Sequence, residues 1–96
     1  MSTTANGSLN VKQAVSSCAN YLRELLPQVE SVRVEEVELS PDDASWFITL
    51  GYLLPRDEDP TIVPAITPRK RNYRIFEVNR EQGVVRSMKI REPLYA

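Results

Sequence analysis

The sequence has no histidine, one cysteine and only three glycines in 96 residues. Each shortage removes a class of chemistry. Without histidine, the common zinc sites and Ser–His–Asp or Cys–His nucleophilic catalysis have no base within the chain. A lone thiol, Cys18, excludes a disulfide framework. Gly7, Gly51 and Gly83 are too scattered to form a phosphate-cradling loop, so no cofactor is expected. No apolar run approaches the ~20 residues of a membrane-spanning helix. Residues 1–10 contain no basic residue followed by an apolar stretch, so no secretory signal is expected and the expected location is cytoplasmic.

What remains is ordinary globular composition, 42% apolar and 26% charged. The length predicts a single domain over residues 1–96 with one core. The formal net charge of −1 conceals an asymmetry. Residues 1–66 hold ten acids and four bases, a net −6; residues 67–96 hold eight bases and three acids, a net +5. Such a split means either a basic binding face or an acidic strand and a basic strand that neutralise one another.

Residues 1–7 are small and polar and read as a flexible tail. Val11, Ala14, Val15, Cys18, Tyr21, Leu22 and Leu25 then follow helical spacing, with polar residues opposite them. A helix is expected over residues 8–26, with Asn10 and Gln13 as a capping box, Leu9 and Ala14 as a staple, and Pro27 as the stop. Four strands follow, at 29–39, 44–54, 72–79 and 84–91. In the first, Val32 and Val34 fall out of phase with Val37 and Leu39. A β-bulge at Glu35–Glu36 would return all four to one face. Ser40-Pro41-Asp42-Asp43 marks a turn. In the second strand Trp46, Ile48, Leu50, Tyr52 and Leu54 share one face, and Phe47, Thr49, Gly51 and Leu53 the other. The last two strands form a hairpin around Gly83; in the fourth, Val84, Met88 and Ile90 are expected on one face and Val85, Ser87 and Lys89 on the other. Residues 55–71 form a proline-rich loop. The predicted fold class is α+β: one N-terminal amphipathic helix packed on a four-stranded antiparallel sheet.

Chemistry-bearing residues are sparse. Glu35, Glu36 and Glu38 cluster, as do Asp42 and Asp43, but on a strand edge and in a turn rather than converging in a cleft, so they read as solvated. No acidic spacing matches a calcium loop, and no metal site is expected. Cys18 lies on the apolar helix stripe and reads as a small buried hydrophobe. Arg69, Lys70, Arg71 and Arg74, with Arg86, Lys89 and Arg91, combine cations with Tyr73 and offer a nucleic-acid face. A sequence pI near 5.4 argues against a dedicated nucleic-acid domain. Ile62, Val63 and Ile66 in the loop, with Phe47 and Leu53 on the second sheet face, are candidate partner contacts.

The stretch RNYRIFEVNREQGVVRSMKIR (71–91) resembles the closing hairpin of PepSY-type domains, with Tyr73, Phe76, Val78, Asn79, Gly83 and Val85 in matching places. The helix and the VEEVEL and WFITLGY strands are similar in order to that family and to the broader cystatin-like helix-on-sheet group. The loop at 55–70 departs from the PepSY pattern, as does the expected cytoplasmic location. Gln82-Gly83-Val84-Val85 does not match the cystatin QxVxG hairpin. The chain also resembles small stand-alone bacterial proteins sharing the VEEVE, W-x-I-T and S-M-K-I-R stretches. These resemblances imply a helix-on-sheet fold and a protein-binding or inhibitor-like role. The expected function is therefore a small interaction module without catalytic activity, its partner another protein or a second copy in a homodimer. A nucleic-acid-binding accessory role through the basic third is the alternative.

Overall fold

The computed structural model describes residues 10–55 and 70–92. Helix α1 spans Val11–Leu25, followed by strands β1 (Glu30–Leu39), β2 (Ser45–Leu53), β3 (Asn72–Asn79) and β4 (Val85–Arg91). The strands form one antiparallel sheet in the order β1-β2-β3-β4. The α+β class and the helix-on-sheet arrangement are as expected from the sequence.

The helix begins where its capping box dictates. Gln13 N donates to Asn10 Oδ1 at 2.9 Å, and Asn10 N donates to Gln13 Oε1 at 3.0 Å. These reciprocal bonds occupy two donors that a helix start leaves without intrahelical partners. Leu9 lies outside the described residues, so the expected staple does too. At the other end Leu26 N reaches Leu22 O at 2.7 Å before Pro27 stops the turn. Ala14, Cys18 and Leu22 are fully buried. The buried stripe is shorter than the apolar spacing implies. Val11 and Leu25, one at each end, are exposed.

The core forms between α1 and one face of the sheet. Ile48, Leu50 and Tyr52 from β2 and Phe76 and Val78 from β3 complete it. Tyr21 meets Phe76 edge to face, with ring centroids 6.3 Å apart. Full burial of each large apolar side chain contributes about 1.5–3 kcal/mol, and the central strands supply most of them. The helix lies over β2, β3 and β4. On β1, outside that cover, Val34 is 43% exposed and Val37 40%.

The bulge in β1 is present. Val34 lies opposite Leu50 and Glu36 opposite Thr49, leaving Glu35 as the extra residue. That insertion returns Val37 and Leu39 to the side of Val34. A second irregularity, between Glu30 and Arg33, is not visible in the apolar pattern; Ser31 there has φ 52°. In β4 the structure corrects the expected facing. A register shift places Val85 opposite Val78 and Ser87 opposite Glu77. Val85, not Val84, therefore packs against the core with Met88, and Val84 is 53% exposed. Arg86 is the inserted residue, so the apolar alternation skips a beat that the sequence alone does not reveal.

Both described hairpin connections are tied by side chains. Ser40 Oγ donates to Asp42 Oδ1 at 2.6 Å, Ala44 N donates to the same oxygen at 3.0 Å, and Ser45 N donates to Ser40 Oγ at 3.0 Å. The Ser40 hydroxyl and the Ala44 amide hold the Asp42 carboxyl below its ordinary range. In the second turn Asn79 Oδ1 accepts from Glu81 N and Gln82 N, and Gly83 takes φ 72°. That left-handed geometry favours glycine.

Candidate functional site

The face of the sheet away from α1 carries Phe47, Thr49, Gly51 and Leu53 of β2, as the alternation in that strand predicts. It is built from polar groups in mutual contact more than from apolar ones. Arg91 of β4 donates from Nη1 to Thr49 Oγ1 at 3.0 Å and, with the same nitrogen, to Glu36 Oε1 of β1. One side chain thus spans from one edge strand to the other. Glu35, displaced by the bulge, lies over Gly51, and a Cβ at Gly51 would collide with its carboxylate. Glu35 Oε2 accepts from Arg33 Nε at 3.1 Å and lies 3.6 Å from Arg71 Nε. Arg71 Nη2 also donates to Ser31 O at 2.7 Å, which ties the second irregularity of β1 to the start of β3. Ser45 Oγ donates to Glu77 Oε2 at 3.0 Å.

Acidic β1 and basic β4 are not neighbours; they are the two edges of the sheet. Even so, Arg71 and Arg91 cross to Glu35 and Glu36, so part of the charge asymmetry is neutralised internally.

Phe47 and Leu53 are half-buried on the open face. Phe47 stands between Glu38 and Glu77, and Leu53 opposite Glu30. They do not form a continuous apolar patch, because Thr49 and Gly51 between them lie under Arg91 and Glu35. Ile62, Val63, Ile66 and Arg69 lie outside the described residues. Of the remaining cations, Lys70, Arg71, Arg74 and Arg91 line one cleft of about 220 Å³ with Tyr52 and Tyr73. Arg86 and Lys89 lie apart from it along β4, both exposed. Within the cleft Arg74 donates from Nε to Tyr52 Oη at 3.0 Å. Three of its four cations are therefore already engaged by this chain.

Reactive chemistry finds little purchase among the described residues. Burial pushes the Cys18 thiol from 9.0 up to about 12, which keeps it protonated and unreactive. No group of three or more acid or thiol side chains is placed to hold a metal ion among the described residues. No helix among them is long and apolar enough to cross a membrane.

The sheet edges carry a different kind of feature. On β1, Val34 and Val37 are exposed on the helix side, and Glu36 and Glu38 are exposed on the open side. On β4, Ile90 is 75% exposed on the helix side, and Lys89 and Arg91 stand on the open side. The sequence shows the basic row and the acidic row but not that they bound opposite edges. The register of four strands was needed for that. Comparison with protein families, curated proteins and solved structures finds no match for this chain.

Proposed function

We propose that this protein is a small, non-enzymatic protein-binding module whose partner docks along the β1 edge. The carrying observation is that, among the described residues, β1 is an edge strand with Val34 and Val37 exposed outside the cover of the helix. An edge strand presents unpaired backbone donors and acceptors, and a partner strand satisfies them while alternate side chains set specificity. The acidic row of Glu36 and Glu38 beside those valines favours a partner strand that alternates apolar and basic residues. A lone, buried thiol suits a reducing compartment, and the proposed setting is the cytoplasm.

A photo-crosslinking residue at position 37, with one at exposed position 12 on α1 as the control, tests this in the native host. A discrete adduct from position 37 and none from position 12 is expected. No adduct at position 37, or the same adducts from both, overturns it.

A second reading, nucleic-acid binding, is favoured by the cleft of Lys70, Arg71, Arg74 and Arg91 beside two tyrosines. It is weakened by the acids that hold Arg71 and Arg91. A steep salt dependence of binding to generic DNA or RNA would support it, and no binding at low salt would sink it.

A further inference from the structure

We infer that the partner of the β1 edge is the β4 edge of a second copy of this chain, giving head-to-tail assemblies. The inference rests on the reading of β1 as a docking edge and names its occupant. The strands alternate in direction, so β4 of one copy runs antiparallel to β1 of a copy placed beside it, and the meander continues without interruption.

Two independent properties of the edges match in a single register. With Glu38 opposite Lys89 of the neighbouring copy, Glu36 falls opposite its Arg91, and these pairs share the open face. The same register sets Val37 opposite Ile90 and Leu39 opposite Met88 on the helix side. Acid meets base on one face, and apolar meets apolar on the other. Val37 and Ile90 are among the exposed large apolar residues of the isolated chain. The neighbour's helix, lying over its own β4, also comes to the flank of Val34 and Val37. Glu38 and Lys89 are exposed, and no ion pair among the described residues engages either one. Glu36, already held by Arg91 of its own chain, keeps half of its side chain exposed.

Symmetric pairing is opposed by the same charges. Joining β1 to β1 sets carboxylates against carboxylates, and joining β4 to β4 sets cations against cations. The contact is therefore heterologous. Strand twist accumulates about the axis running across the sheet, so each added copy is rotated and the assembly stays open-ended.

Light scattering on the full chain over a concentration series is the test. The mass should climb above the 10.9 kDa of the monomer without stopping at a dimer, and it should fall as salt rises. Glu38→Lys and Lys89→Glu should each return the chain to monomer mass. An equimolar mixture of the two should restore assembly, because each junction then sets Lys against Glu again. That mixture also guards against loss of assembly through misfolding. A wild-type chain that stays monomeric at millimolar concentration overturns the inference, as does a mass that stops at a dimer, or single variants that assemble like the wild type. A monomeric chain that still crosslinks from position 37 to a different protein would overturn this inference and leave the proposed function standing.

Discussion

Gly51 is the residue whose absence of a side chain matters most on the open face. The Glu35 carboxylate lies in the space a Cβ would take, and Glu35 in turn joins Arg33 and Arg71. Gly51→Ala must push that carboxylate aside, and because it ends a flexible side chain we expect a loss of about 1 kcal/mol, the low end of the range for overpacking. Glu35→Ala in the same chain should recover part of it, so the double variant loses less than the sum of the singles in denaturant titrations. Cys18 makes a residue-scale prediction of another kind. Its folded pKa of about 12 lies above its ordinary 9.0, so its neutral form favours folding. That contribution is complete below pH 9.0 and is lost as pH climbs from there toward 12, because the unfolded chain gains by ionising first. Denaturation midpoints on the two sides of pH 9.0 should therefore fall less in Cys18→Ala than in the wild type.

At the scale of elements, the capping box fixes where α1 begins. Asn10→Ala removes the acceptor for Gln13 N and should cost about 1 kcal/mol, measured by thermal or denaturant unfolding. That cap was legible in the sequence, because capping is local and depends on residues three apart. The bulge at Glu35 was legible too: a phase slip in alternating valines has few other solutions. The shift that brings Val85 into the core was not, since Val84 and Val85 are both apolar and either could face inward. Ser31 was likewise hidden, because its left-handed backbone is supported from outside the strand by Arg71, forty residues later. The basic candidates illustrate the same limit. Their clustering in sequence was plain, but Arg74 turns toward Tyr52 while Arg71 and Arg91 turn toward acids. Faces follow from alternation; partners depend on register across three strands.

For the molecule as a whole, a net charge near zero conceals two opposed edges, β1 with four acids and one base and β4 with three bases and no acid. The sheet separates them, and two arginines bridge part of the distance. The link from Arg91 to Glu36 joins residues 55 apart in sequence and requires every strand between them to be in place. Such a contact is expected late in folding, because β2 and β3 must first pair between the two edge strands. We expect it to act as a kinetic latch, forming after the transition state once the sheet is complete. Arg91→Ala should consequently leave the refolding rate nearly unchanged and speed unfolding, so that stopped-flow measurements show the two limbs of the rate profile responding unequally. A side chain that spans the width of the sheet should thus bear on how long the folded state lasts more than on how quickly it is reached.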